Sequence, residues 1–293
     1  MSRWKQWGAF IFLGGLAWGT SFLWIKVALR ELAPLTLVAW RMAFGAAGAW
    51  AILRLERRPI GIRGRELLYT LLLGLFNTAI PIALISWAEL HIDSGLAGIL
   101  NSTVPLFTIV LAHVFLHDER ITWPKALGLA AGFIGVVILL GRDVGAEGLT
   151  GSLRGQLAVI LAAILYASSN VFIRLRLRDQ HPIHMAAVSL TSAFVFMAAL
   201  ALIFEHPVRV PHLPMTWLAC GWMGLVGLSL AYYAYFYLLR SWGATRSVLV
   251  TYVFPVAAVI LGVVFLGERP AWYVFAGGAM VVGGIALVNL KRG

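Results

Sequence analysis

The chain contains ten runs of about 20 mostly apolar residues, separated by short segments that hold most of its charges. A helix needs roughly 20 apolar residues to cross the hydrocarbon core of a bilayer. Only 12% of the 293 residues are charged, which is about half the usual share in soluble domains. The sequence therefore predicts an all-α integral membrane protein with ten transmembrane helices. The predicted spans are 8–29, 34–53, 67–88, 94–116, 124–140, 153–173, 183–204, 215–239, 244–266 and 271–290.

Two distant segments, STVPLFTIVLAHVFLHDER and TYVFPVAAVILGVVFLGER, share one layout. Their prolines, Pro105 and Pro255, lie 150 residues apart, and each apolar run ends in an acidic residue followed by Arg. WGTSFLWIK, which begins at Trp18, aligns in the same way with YASSNVFIR, which begins at Tyr166. Chance similarity between apolar helices is the alternative, but the aromatic, proline and basic positions agree as well. We therefore predict two copies of one five-helix unit, residues 1–147 and 148–293.

The number of helices in each unit sets their relative orientation. Because five is odd, the second copy enters the membrane from the opposite face, as in transporters that alternate access to a site near the midplane. Most of the 23 lysines and arginines fall in segments that are cytoplasmic if the N-terminus is inside, and basic loops stay on that side. We therefore expect both termini in the cytoplasm. The HDER end of the fourth helix is then inside and the GER end of the ninth outside.

A resemblance to a known family rests on three of these features. They are the Trp-Gly start of WGTSF in the first helix, the five-plus-five inverted arrangement and the Phe-Leu-Gly-Glu ending of the ninth helix. Over essentially its whole length the chain resembles the drug/metabolite transporter superfamily, above all its EamA branch and the YddG-type exporters of aromatic and neutral amino acids. The resemblance implies a central cavity in a bacterial inner membrane protein, with the fifth and tenth helices at the periphery. The fourth helix departs from the pattern with LHDE, so we expect Asp118 and Glu119 to be helix-end structure.

Three mid-helix prolines point to candidate site residues. Proline frees the carbonyl four residues earlier, and a membrane helix tolerates this only where protein or a water-lined cavity satisfies the freed group. The residues at these positions are polar: Asn77, Asn101 and Thr251. Because Asn101 and Thr251 are also repeat partners, we predict that these residues line a substrate cavity near the midplane. Hydrogen bonding between helices is the alternative use of such side chains.

Aromatic and small polar residues in the first and sixth helices extend the predicted site. A Trp or Tyr at membrane depth offers an apolar face with one polar group, and its ring attracts an ammonium group. On this basis we predict that Trp18, Tyr166, Ser169 and Asn170 line the path. Packing of helices through small residues is the competing explanation.

The eighth helix carries four tyrosines in YYAYFYLL. Helical spacing places Tyr232 and Tyr235 on one face, with Tyr233 and Tyr237 on the other. Repeat pairing of Trp87 with Tyr237 favours the second face, so both residues join the predicted site. Aromatic packing in the core is again the alternative.

The charged residues limit the possible substrates. No Asp or Glu lies near the centre of a predicted span, so no buried carboxylate for cationic drugs or a proton relay is evident. Arg41 alone among the basic residues is embedded in a span, and we expect it to snorkel towards the outer end. Phosphorylated sugars would need several converging cations. Glu89, His91 and Asp93 cluster in a short outer loop that could form a pH-sensitive gate.

No catalytic, phosphate-binding or metal-ligand motif occurs, so the sequence predicts no enzyme, cofactor or metal. Topology explains the net charge of +11 better than a nucleic-acid partner does. We predict a secondary transporter, surrounded by membrane lipid, that exports small metabolites, above all neutral or aromatic amino acids. The alternatives are a broader drug or sugar-metabolite exporter of the same fold and, from another class, an integral-membrane enzyme or lipid-handling protein. The sequence leaves the exact substrate, proton coupling and the oligomeric state open.

Overall fold

The computed structural model describes residues 3–57, 61–116, 119–141, 144–145, 148–149, 151–232, 234–235 and 250–289. Ten apolar helical regions occupy this described part. They are α1 (Arg3–Ile11, Phe12–Trp18 and Ser21–Ala28), α2 (Pro34–Leu55), α3 (Gly64–Gly74, Leu75–Ala79 and Ile80–Ala88), α4 (Ser94–Asn101 and Val104–Phe115), α5 (Trp123–Gly141), α6 (Gly151–Arg176), α7 (Pro182–Phe204), α8 (Pro214–Gly221 and Trp222–Leu230), α9 (Val250–Leu266) and α10 (Trp272–Asn289).

The lengths of these helices agree with a membrane protein. In the described part of the chain, seven helices are long and apolar enough to cross a bilayer, and α8, α9 and α10 contribute shorter apolar stretches. The predicted fold of ten membrane helices is thereby confirmed. A short antiparallel hairpin was not predicted: β1 (Val144–Gly145) pairs with β2 (Gly148–Leu149) between α5 and α6.

Helix packing follows the repeat. Helices α2 and α7, α4 and α9, and α5 and α10 each pack against their own repeat partner. Helix α3 packs against α6, and its repeat partner α8 packs against α1, the repeat partner of α6. The set of contacts is therefore the one that a two-fold relation between the halves requires.

Glycine lets α5 and α10 approach closely. A Cβ atom at Gly128 would lie 2.5 Å from the carbonyl oxygen of Gly284, and one at Gly135 would lie 2.6 Å from that of Gly277. Small residues allow such backbone contact between membrane helices, where the lipid supplies no hydrophobic driving force for association. These two helices therefore form a tight pair.

Several helices are irregular near the centre of the bundle. Helix α4 is interrupted at Ser102 and Thr103, whose hydroxyls donate to the carbonyls of Ile99 and Leu100, each at 2.6 Å. Parts of α1, α3 and α8 are π-helical: Phe12–Trp18, Leu75–Ala79 and Trp222–Leu230. Such irregular turns are often found at functional sites, because they redirect side chains and free backbone groups.

Candidate functional site

A cavity of about 550 Å³ lies between the two halves. This volume is within the usual range for small-molecule sites. Aromatic and polar side chains line its central part, among them Trp18, Ser21, Arg41, Asn77, Asn101, Tyr166, Asn170, Tyr232 and Tyr235. The lining continues to Glu119, Lys125 and Arg174, at what we call the Glu119 end of the bundle. The opposite end, where α9 is followed by Glu268, is the Glu268 end.

Five of the nine predicted site residues line this cavity: Trp18, Asn77, Asn101, Tyr166 and Asn170. Two of these residues, Tyr166 and Asn170, lie in α6 four residues apart. They share one face of the helix with Arg174, which follows after another four residues.

Two predicted residues are absent from the lining among the described residues. Ser169 lies beside that face of α6 and is buried in helix packing. Trp87, near the end of α3, is 38% exposed and contacts His91, with 4.5 Å between ring centroids. The repeat alignment predicted how far along the helix these residues lie, but not which face of the helix is turned towards the cavity. Tyr237 and the side chain of Thr251 lie outside the described residues.

The aromatic face of α8 differs from the favoured prediction. Tyr232 and Tyr235 line the cavity, whereas Tyr233, like Tyr237, lies outside the described residues. The indole N–H of Trp18 donates to the carbonyl oxygen of Gly227 at 3.2 Å, and its ring lies 5.8 Å from that of Tyr235. The prediction relied on Trp87, which the structure places away from the cavity.

The two asparagines of the cavity differ in their surroundings. Asn77 lies in the π-helical turn of α3, near the side chain of Tyr232. Asn101 ends the first part of α4, and its buried side-chain oxygen has no hydrogen-bond partner among the described residues. A buried acceptor without a donor is costly in the absence of a ligand. Asn101 is therefore the stronger candidate for contact with a bound molecule.

The structure contradicts the expectation that Arg41 snorkels outward. Its side chain is only 6% exposed and lines the cavity. The reason is the packing of α2 on α8: a Cβ at Gly224 would lie 2.6 Å from the carbonyl oxygen of Arg41, so this side of α2 faces the bundle and offers no route to the lipid surface. The position of Arg41 inside a predicted span already indicated a possible role, because a charged residue in a span either snorkels to the membrane surface or faces the protein interior.

The Glu119 end is held by partly exposed ion pairs. The Glu119 carboxylate lies 2.8 Å from Arg174 and 3.3 Å from Lys125. The side chain of Arg174 is 46% exposed, so the cavity reaches solvent at this end. Glu119 was expected only to end a helix, and the structure adds that it lines the cavity and pairs with both cations.

The Glu268 end is closed by a helix cap. The Glu268 carboxylate accepts hydrogen bonds from the first backbone amides of α4, those of Ser94 at 2.8 Å and Gly95 at 3.2 Å. Anions are favoured at a helix N-terminus because the first amides are unpaired and the helix dipole is positive there. We call this arrangement the Glu268 cap. The sequence reasoning missed it.

Two further acids lie near this cap: Glu89, which is buried, and Asp93, which is exposed. Glu89, directly after α3, is 1% exposed, and neither carboxyl oxygen has a hydrogen-bond partner among the described residues. The Lys26 ammonium donates instead to the backbone oxygen of Glu89, at 2.5 Å. Burial, and secondly the nearby Glu268, raise the pKa of Glu89 well above its usual range, although Lys26 and Arg41 oppose this. Burial and Glu268 also raise the pKa of Asp93.

No group of three or more His, Cys, Asp or Glu side chains that could hold a metal ion occurs in the described part of the chain. The side chains that line the cavity offer hydrogen-bonding groups, charges and aromatic rings.

Comparison with known proteins identifies the family. One family model, the EamA-like transporter family, matches residues 6–141 and again residues 153–290. The chain belongs to the EamA-like transporter family. The protein is therefore a secondary transporter and not an enzyme, and its duplicated match agrees with two related halves.

Relatives from several organisms align along nearly the whole chain. The uncharacterized transporter YoaV of Bacillus subtilis is 26% identical over 92% of both chains. The uncharacterized inner membrane transporter YedA of Escherichia coli K12 is 29% identical over 94% of this chain and 88% of its own. A probable terminal-alkyne amino-acid exporter of Streptantibioticus cattleyicolor is 25% identical over 94% and 91%. One crystal structure superposes over 99% of both chains with a TM-score of 0.69 and 23% identity, which supports the fold alone.

Proposed function

We propose that this transporter exports neutral amino acids, including aromatic ones, from a bacterial cytoplasm by alternating access through the central cavity. The observation that carries the proposal is Asn101, at the break in α4, whose buried side-chain oxygen has no hydrogen-bond partner among the described residues. Discontinuous membrane helices of this kind bind polar substrate groups in other transporters.

The electrostatics of the cavity suit a zwitterion. The Asn101 oxygen and carbonyls freed at helix breaks can accept hydrogen bonds from an ammonium group, and the rings of Trp18, Tyr166 and Tyr235 can attract it. Among the described lining residues the only carboxylate is Glu119, which is engaged with Arg174 and Lys125 at one end. A substrate with an extra cationic side chain would therefore lack a counter-charge, and burying that charge costs several kcal/mol.

The aromatic lining favours large apolar side chains over sugars. Trp18, Phe22, Tyr235 and Phe254 contribute rings to the cavity wall. Such rings bury apolar area and present few hydrogen-bonding groups. The Streptantibioticus relative, which is named as an amino-acid exporter, supports the same class of substrate.

Orientation follows from the distribution of basic residues. We place both termini in the cytoplasm and the protein in the inner membrane, the location named for the Escherichia coli relative. The Glu119 end then faces the cytoplasm, so the cavity of this structure is open to the compartment from which an exporter loads.

Transport by purified protein in liposomes tests the proposal. We expect uptake of radiolabelled phenylalanine, with competition by methionine and threonine but not by glutamate or lysine. Asn101→Ala should lower the transport rate at normal expression, and Trp87→Ala, at an exposed residue away from the cavity, is the matched control. Thr251→Ala and Tyr237→Phe test the two site predictions that lie outside the described side chains. Strong competition by a phosphorylated sugar, with no effect of amino acids, would contradict the proposed function.

A further inference from the structure

We propose that Arg41 binds the carboxylate of the transported molecule, so that a free carboxylate is a requirement for transport. The inference rests on the proposed function only in taking an amino acid as the source of that carboxylate.

The guanidinium of Arg41 has more donors than partners. It carries five N–H groups. One terminal nitrogen donates to the hydroxyl of Ser21 at 3.3 Å, and the other lies 3.6 Å from the sulfur of Met223, which is a weak acceptor. The buried Nε has no partner among the described residues. Because Ser21 and Arg41 both line the cavity, the unused donors lie at the wall of the substrate site.

Among the described residues, no anion is paired with the positive charge of Arg41. Glu89 is the acid close enough to act on it electrostatically, but burial favours the neutral form of that carboxyl. An arginine stays charged at any physiological pH. A buried charge without a partner is strongly destabilising, and a ligand that brings the missing anion removes that cost.

A carboxylate matches this site better than a phosphate does. Both anions accept two parallel hydrogen bonds from a guanidinium. Arg41 offers one positive charge, however, whereas a phosphate monoester carries up to two negative ones. The other cations that line the cavity, Lys125 and Arg174, lie at the Glu119 end and pair with Glu119. A phosphate beside Arg41 would therefore keep an unmatched charge in the membrane interior.

Arg41 and Asn101 together recognise the two charged groups that all α-amino acids share. The guanidinium supplies donors for the carboxylate, and the unpartnered Asn101 oxygen accepts from the ammonium group. The side chain of the substrate would then contact the aromatic residues of the cavity wall.

The test compares ligands that differ in the anionic group. Competition against radiolabelled phenylalanine is measured in liposomes with phenylalanine, phenylalanine amide, 3-phenylpropanoate and phenyl phosphate. We expect the amide to compete at least about tenfold more weakly than the acid, because it lacks the negative charge and the second oxygen that a guanidinium binds. Arg41→Met should reduce this difference between acid and amide to below about threefold. Arg41→Lys should keep part of the difference, because lysine retains the positive charge but not the two parallel N–H donors of a guanidinium. The matched control is Arg209→Met, at an exposed arginine between α7 and α8.

The outcomes separate this inference from the proposed function. If wild-type protein binds the amide as well as the acid, or if Arg41→Met transports phenylalanine with an unchanged ratio, the inference is wrong while amino-acid transport stands. If amino acids are not transported but 3-phenylpropanoate is, in an Arg41-dependent manner, the inference stands and the proposed function fails. Preferential competition by phenyl phosphate would also overturn the inference. The wild-type comparison alone decides the matter if the Arg41 variants do not fold.

Discussion

The segments at the C-terminal ends of α4 and α9 have almost the same sequence but different structures. In FLGER, Gly267 has a left-handed φ of +69°, and the amide of Glu268 donates to the Gly262 oxygen at 3.1 Å. A glycine in this conformation commonly ends a helix, because it reverses the chain without strain. The reversal brings the Glu268 carboxylate to the N-terminus of α4. FLHDER has no glycine there, and α4 ends at Leu116 with extended backbone angles.

This difference makes the two ends of the transporter energetically unequal. The Glu268 cap joins a charged carboxylate to two backbone amides beside buried side chains, and hydrogen bonds to charged groups contribute about 1.5–3 kcal/mol. The Glu119–Arg174 pair is partly exposed, with the arginine side chain 46% accessible, and ion pairs at the surface contribute only about 0–1 kcal/mol. A duplicated motif can therefore close one end firmly and leave the other easy to open. In the proposed alternating-access cycle, the Glu268 end can open only if the Glu268 cap breaks.

The largest effect that we expect is in the sidedness of the two ends. Arg120 and Arg269 follow the matched glutamates and are exposed. Single cysteines at these positions, in a Cys220→Ser background, should react with a membrane-impermeant maleimide from opposite sides of the membrane. Labelling of both from one side would disprove the inverted arrangement. The cysteine-free parent, which should not react, is the control.

The second prediction concerns the buried acid beside the Glu268 cap. The pKa of Glu89 is raised in the folded protein, so its contribution to stability is fully present below the unfolded value of about 4.5 and is lost as pH rises through the folded pKa. Ionising a buried carboxyl costs several kcal/mol. The Tm of wild-type protein in detergent should therefore fall relative to that of Glu89→Gln as pH rises.

The same measurement on Glu66→Gln, which removes an exposed carboxyl in the first turn of α3, is the matched control for loss of one acid. A constant difference in Tm between wild type and Glu89→Gln at all pH values would show that folding does not change the pKa of Glu89. The buried position of this acid would then not distinguish the Glu268 end.

A third prediction compares the two glutamates directly. Glu268→Gln removes the charge from the cap and should raise the labelling rate of a cysteine at buried position Ser94 about tenfold, since 1.4 kcal/mol is a factor of ten in population. Glu119→Gln should change that rate less than about threefold. Equal effects of the two variants would show that the ends do not differ in the way described. Retained binding of phenylalanine by both variants confirms that they are folded.

The sequence predicted the membrane helices, and it led to five residues that line the cavity, for identifiable reasons. Apolar length defines membrane helices, and the matched prolines led to Asn101. It did not predict which faces point inward, because lipid and protein core are equally apolar and membrane helices show little contrast between their faces. Trp87 was misplaced for this reason, and the burial of Arg41 and Glu89 was missed. These features depend on helix rotation and close packing, such as that of Gly224 on α2.

The smallest effect should come from the glycine that distinguishes the two ends. Gly267→Ala places a side chain at φ +69° and should lower the free energy of unfolding by about 1 kcal/mol, or shift the accessibility of position 94 about fivefold. Gly283→Ala is the matched control: this glycine lies inside α10, with no atom within 4 Å of an added Cβ, so alanine should be neutral or slightly stabilising there. If Gly267→Ala leaves both quantities unchanged, the chain reversal at Gly267 does not determine the Glu268 cap. The contrast between the two ends would then have to arise from Ser94, Gly95 and the nearby buried Glu89.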